Sequence, residues 1–185
     1  MRPTGMNRSD EALVRAAAAG DRAAFAALVR AHYDRTYRMA AGLLRDPDAA
    51  ADIAQDIWAS MPARLAGFAG EAAFTTWLYR VVLNRVRDHI RRTQRRAGSR
   101  ARLAEEAARL AAEAGAEAER RRWLLAAFDA LAPPELRETA WLIVVEGLTQ
   151  AEAAAALDVA PGTVAWRMSE VKRQLTGLAR SEGVA

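Results

Sequence analysis

From Asp10 to about Gly177, apolar side chains recur every three or four positions, and nowhere does a β-branched run alternate with polar residues. Residues three or four apart share one face of a helix, whereas a strand needs a period of two. The residues around those apolar positions are mostly alanine, leucine, arginine and glutamate, which are strong helix formers. The chain is therefore expected to be all-α. At 185 residues it can hold one ordinary domain or two small ones.

Capping and breaking residues divide the pattern. Asp10 to Ala19 reads as a short helix closed by Gly20, and Asp21 can cap a longer one with the apolar stripe Phe25, Leu28, Val29, Tyr33, Tyr37, Ala40 and Leu44. Asp46-Pro47-Asp48 breaks the chain, and Asp48 starts a third helix through Ile53 and Ile57 in which Pro62 is expected to end or kink the last turn. Gly67 and Gly70 mark a loop before an arginine-rich helix. Thr93 to Glu119 carries charge and alanine with few large apolar residues, so it reads as a linker. Packing signals resume at Trp123, Leu124, Phe128 and Leu131, and Pro133-Pro134 starts a helix whose apolar face is Leu136, Ala140, Ile143 and Val144. Thr149-Gln150-Ala151-Glu152 is a capping-box pattern. A helix to Leu157, a turn at Asp158-Val159-Ala160 and a last helix from Pro161 read as a helix-turn-helix, with Val164, Met168, Val171 and Leu175 facing inward.

The formal net charge is only +4, but the arginines are clustered. Arg80, Arg85, Arg87, Arg91, Arg92, Arg95, Arg96, Arg100 and Arg102 face a single acid, Asp88, within their own span. Acids gather instead around Asp46 to Asp56 and Glu105 to Glu119, which suggests one anionic partner and one protein partner. There is no cysteine, so disulfides and thiolate zinc sites are excluded. No run approaches the ~20 apolar residues of a membrane span, and Met1 to Gly5 lacks an apolar signal core; no membrane insertion and a cytoplasmic location are expected. Asp52 and Asp56 share a helix face, but without histidine support the pattern suits a solvated or partner-binding face better than a metal, and none is assigned. His32 and His89 stand alone, and neither a nucleophile pattern nor a glycine-rich phosphate loop occurs. No catalytic residue and no cofactor are expected.

Two constellations point to nucleic acid. Phe74-Thr75-Thr76-Trp77-Leu78-Tyr79-Arg80, continuing through Asn84 to Arg91-Arg92, sets aromatic rings and arginines on one helix, which suits stacking on unpaired bases and neutralising phosphates. The competing reading makes Trp77 and Tyr79 core residues and the arginines a solvated face; the acid-poor stretch from Arg91 to Arg102 is what it explains least. In the helix-turn-helix, the outer face of the last helix is expected to expose Thr163, Trp166, Arg167, Glu170, Arg173 and Gln174. Arginine can bond guanine bidentately in the major groove, and glutamate can accept from cytosine. A solvated bundle helix is the alternative, and Trp166 on a polar face argues against it.

Together these residues resemble the extracytoplasmic-function sigma factors, bacterial RNA polymerase initiation factors that keep only regions 2 and 4. The resemblance runs from about Asp10 to Leu178. Asp10 to Val14 with Gly20-Asp21 and Ala24-Phe25 looks like the family's opening, and Asp52-Ile53-Ala54-Gln55-Asp56 is similar to the polymerase-binding motif of region 2. Phe74 to Asn84 resembles the promoter-melting and minus-10 segment, and Gly162-Thr163-Val164 with Arg167 the minus-35 reading helix. Ala153 and Ala156 stand where larger aliphatics are usual, and Ala165 and Trp166 where basic and small residues are.

The resemblance implies a division at 10–96 for region 2, 97–118 for a flexible linker and 119–178 for region 4, between tails 1–9 and 179–185. It implies that Asp52, Gln55 and Asp56 meet the clamp of the polymerase's largest subunit. Trp77, Arg80, Asn84, Arg85, Arg91 and Arg92 would serve the minus-10 element, with the loop Ala66 to Ala73 holding the melted strand. Thr163, Trp166, Arg167, Glu170 and Arg173 would read the minus-35 major groove, and the outer surface of region 4 would meet the polymerase flap. An anti-sigma factor is the further partner implied. The alternative from another class is a stand-alone dimeric helix-turn-helix regulator, which would read symmetric half-sites by itself.

Overall fold

The computed structural model describes residues 8–94 and 116–181, which are helical apart from short connections. Four helices make the N-terminal half: α1 (Arg8–Ala18), α2 (Arg22–Leu44), α3 (Pro47–Leu65) and α4 (Phe74–Gln94). The C-terminal half holds α5 (Ala116–Asp129), α6 (Pro134–Ala140), which runs into a π turn at Trp141–Val145, and the pair α7 (Gln150–Leu157) and α8 (Pro161–Ser181). Most of the expected linker and tails, with Arg95, Arg96, Arg100 and Arg102, lies outside the described residues.

The helix ends follow side-chain chemistry. Asp21 accepts from the Ala23 and Ala24 amides and starts α2. Asp46, rather than Asp48, caps α3: its carboxylate accepts from Ala49 N at 3.0 Å, and Pro47 takes the first turn, where its missing N–H costs nothing. Thr149 and Glu152 close the capping box of α7 reciprocally. Helix α3 runs through Pro62 to Leu65. Met61 and Leu65, both fully buried, hold that last turn to the core and outweigh the hydrogen bond the proline removes.

The buried row of α2 is not the expected one. Phe25, Val29, Tyr33, Tyr37 and Leu44 are half-buried, and the innermost positions are Ala24, Leu28, His32, Thr36, Met39, Ala40 and Leu43. Helices α1, α3 and α4 all pack on α2, so burial follows their combined position rather than the bulkiest stripe. Thr36, in that row, is satisfied: its Oγ1 donates to His32 O and accepts from Trp58 Nε1 at 3.2 Å. His32 Nε2 lies 3.1 Å from Asp10 Oδ2, close but out of hydrogen-bond alignment, and the ring meets Phe74 edge-on.

A second departure comes from the π turn. The turn takes an extra residue, so Val144 rotates away from the expected apolar face while Ile143 stays half-buried against the core. Leu142 is buried instead, while Val144 and, in α5, Leu124 are exposed. Leu142, Leu148, Ala153, Ala154, Ala156, Leu157 and Val164 join one apolar cluster with the core of α1–α4, so the two halves pack directly against each other. Small side chains at Ala153 and Ala156 let α7 lie close on α4. A smaller cluster of Leu131, Leu136, Ala140 and Val171, with Phe128 and Leu175 against it, holds α8 to α5 and α6.

Candidate nucleic-acid and polymerase surfaces

Helix α4 presents two chemistries because its apolar and basic residues fall on different faces. Phe74, Leu78, Tyr79, Val82, Leu83 and Val86 are buried, which fixes the helix rotation. Asn84, Arg91 and Arg92 then lie exposed on its outer side. Trp77 is half-buried, with its ring centroid 5.2 Å from Phe68 and 5.8 Å from Phe74, so part of its surface is spent on an aromatic cluster. Gly70, in the left-handed region at φ 74°, turns the loop that precedes the helix. Between that loop and Thr76, Trp77 and Arg80 lies a cleft of about 420 Å³.

The arginines of α4 are not equivalent. Arg80 Nη2 donates to Ala155 O at 2.7 Å and lies 3.3 Å from Asp158 Oδ1, both in the C-terminal half. Arg85 pairs with Asp56 on α3 at 2.6 Å. Arg87 makes a two-pronged bond to the buried carboxylate of Glu138, at 2.8 and 2.5 Å, and that bond raises its already high pKa. Tyr79 donates to Glu146 Oε2 at 2.9 Å; burial, and then the adjacent Glu146 charge, push its phenol upward and keep it protonated.

On α3, Ile53, Ala54, Ile57 and Trp58 turn inward, leaving Asp52, Gln55 and Asp56 together on the exposed face. Among the described residues, no group of three or more histidine, cysteine, aspartate and glutamate side chains could hold a metal ion. No helix among them is long and apolar enough to cross a membrane.

Helix α8 follows a left-handed Asp158 and is set by buried Val164 and Val171. Trp166 projects at 61% exposure. Thr163 is half-buried. Arg167 and Gln174 do not stand on the outer face as expected: Arg167 leans back toward Thr139 Oγ1 at 3.5 Å, and Gln174 brackets Ala132, donating to its carbonyl and accepting from its amide. Glu170 is held by Arg173, with which it makes a two-pronged bond, and by Gln174. The exposed ridge also includes Ser169, Lys172, Thr176 and Arg180, which line an open groove of about 510 Å³ with Arg173 and Gly177. Sequence reasoning missed Lys172 and Arg180; the helical spacing of Arg180, seven residues after Arg173, was the available signal.

Residues 28–96 match the family described as Sigma-70 region 2. Over 171 residues the chain is 33% identical to the ECF RNA polymerase sigma factor SigM of Mycobacterium tuberculosis, covering 92% of this chain and 85% of that protein. Among solved structures, it is similar to CnrH in complex with the cytosolic domain of CnrY, with a TM-score of 0.69, 28% identity and coverage of 94% of this chain and 98% of the other. It also shares its fold with the sigma factor RpoE of Bartonella quintana, solved in complex with the anti-sigma factor NepR, with a TM-score of 0.63, 21% identity and coverage of 84% and 96%.

Proposed function

This chain belongs to the extracytoplasmic-function sigma factors, and from that premise we propose how its surfaces divide the work of promoter-directed initiation. A sigma factor is an initiation subunit that supplies no catalytic step of its own. The polymerase clamp engages the exposed face of Asp52, Gln55 and Asp56, where carboxylates and an amide suit basic partner side chains. The minus-10 element engages the loop before α4 together with Trp77, Arg80, Asn84, Arg85, Arg91 and Arg92. The minus-35 element engages α8 through Thr163, Trp166, Arg167, Glu170 and Arg173. Residues 10–96 and 119–178 form the two reading units, the chain works in the cytoplasm, and an anti-sigma factor controls it.

The cleft beside Trp77 is the observation that carries this reading. It joins a glycine-turned loop, an aromatic wall and an arginine in about 420 Å³. Unstacking a base costs a few kcal/mol, and a site that offsets this must supply ring contact and phosphate neutralisation together. The test is transcription of fragmented genomic DNA from the source organism by purified bacterial core polymerase, with and without this protein, mapping the starts. New starts preceded by a shared pair of spaced motifs are expected. An absence of new starts, with the chain binding symmetric duplex sites as a dimer, would overturn the reading in favour of a stand-alone regulator.

A further inference from the structure

Beyond Trp166, the outer face of α8 carries the chemistry of a phosphate site. Ser169, Lys172, Arg173, Thr176, Gly177 and Arg180 line its open groove, giving cations, hydroxyls and one bare backbone position with neither acid nor ring among them. Lys172 and Arg180 are exposed, and among the described residues neither makes an ion pair. Arg173 stands about 15 Å beyond Thr163 along the helix axis, at 1.5 Å per residue. A major groove is only about 12 Å wide. With Thr163 at base edges, Arg173 therefore reaches the groove wall, where the backbone runs.

Arg173 is also held in advance. Its Nε donates to Glu170 Oε2 at 2.8 Å, and its Nη2 donates to Glu170 Oε1. Glu170 Oε1 accepts in turn from Gln174 Nε2 at 2.8 Å. The same Gln174 amide is fixed to the connection between α5 and α6, donating to Ala132 O at 2.7 Å and accepting from Ala132 N at 3.1 Å. A relay of hydrogen bonds thus runs from the backbone of one element to the guanidinium of another. The Glu170 side chain is 20% exposed and that of Arg173 71%, so the guanidinium is the end that faces a partner. A guanidinium carries five N–H groups; Glu170 takes one on Nε and one on Nη2, which leaves the edge away from the carboxylate. Parallel N–H groups on such an edge suit two phosphate oxygens.

We propose that the groove from Ser169 to Arg180 grips backbone phosphates beside the minus-35 bases, with Arg173 as its anchor and Glu170 and Gln174 as the positioning residues that set the anchor's angle. On the sigma reading, on which this rests, the duplex is promoter DNA. Glu170 then acts against the sign of its own charge. A carboxylate near phosphates repels them, so a Glu170 that did nothing else would weaken binding, and its removal would tighten it. As a positioning residue it has the opposite effect. Without it Arg173 must be ordered at the moment of binding, and that cost falls on the complex.

The test is binding of holoenzyme, assembled from core polymerase and the full chain, to a promoter fragment identified by start mapping, over a series of salt concentrations. Arg173→Ala should weaken binding about equally for fragments with different minus-35 bases and lower the salt slope by about one, and Lys172→Ala and Arg180→Ala should each lower that slope by a similar amount. Glu170→Gln should weaken binding about two- to tenfold even though it removes a negative charge. Gln174→Met changes no charge and should weaken binding in the same direction. It should also raise the midpoint of the Glu170 carboxyl, which Arg173 and then Gln174 hold at about 2, in an NMR titration of the free chain. Tighter binding by Glu170→Gln, an unchanged salt slope in Arg173→Ala, or an unchanged Glu170 midpoint in Gln174→Met would overturn the proposal. So would a loss in Arg173→Ala confined to particular minus-35 bases, which would make that arginine a base reader. A wild-type holoenzyme that selects no promoter would fault the sigma reading instead, and the midpoint in the free chain would still test the relay.

Discussion

Arg85 on α4 donates to Asp56 on α3 at 2.6 Å, so a basic residue and an acidic one that the sequence assigns to different partners neutralise each other in the free chain. The pair is partly exposed and is expected to contribute less than about 1 kcal/mol to stability. Either partner can therefore release the other's residue at little cost.

The exposed carboxylate and amide on α3 support a first expectation. Replacing Asp52 and Gln55 together by alanine should leave thermal stability within about 0.5 kcal/mol, because neither side chain is buried. Co-elution with core polymerase should fall. Unchanged co-elution would remove these residues from the polymerase surface.

Gly42 is where α2 meets the π turn. A Cβ there would sit 2.0 Å from Cη2 and Cζ3 of Trp141, whose indole N–H is held by Glu146 at 3.2 Å. Gly42→Ala should destabilise by about 1–3 kcal/mol through overpacking, despite alanine's better helix propensity. In a Trp141→Ala background the sign should reverse, to a gain of up to about 1 kcal/mol. Chemical denaturation of the four proteins checks both signs.

The two neighbours on α8 should behave differently. Trp166→Ala is expected to leave folding within about 0.5 kcal/mol while weakening minus-35 binding, since its ring touches little of the protein. Arg167→Ala should cost about 1–3 kcal/mol at a subset of promoter positions if it swings out to read a base. A loss spread evenly over all sequences would make it a phosphate contact.

Glu170 supplies a pH expectation. Hydrogen bonds from Arg173 and then Gln174 pull its carboxyl down to about 2 from an ordinary 4.5. A lowered carboxyl stabilises the fold above its unfolded value and loses that contribution as pH falls through the folded one. The cluster on α8 should thus be intact from neutrality to about 4.5, weaken below it and be lost only near 2. Titration of the Glu170 side-chain carbon by NMR would show this, and a midpoint near the ordinary value would refute it.

Much of the fold was legible because its signals are local. Asp21, Gly20, Thr149, Glu152 and Pro161 act on amides and carbonyls within four residues of themselves, and the inward row of α8 follows from helical spacing alone. The all-α architecture and the helix-turn-helix could therefore be read without coordinates. What could not be read depends on residues distant in the chain. Arg85 finds Asp56 across 29 positions and Arg45 finds Asp129 across 84, and no periodicity encodes such pairings. The π turn that buries Leu142 and exposes Val144 was hidden for the same reason, since Trp141 settles over Gly42 of another helix. Sequence by itself determined where the helices begin and which arginines and carboxylates they carry. Tertiary packing alone decided which of those charges meet one another and which remain for a partner, because a charge's availability depends on what lies beside it in space.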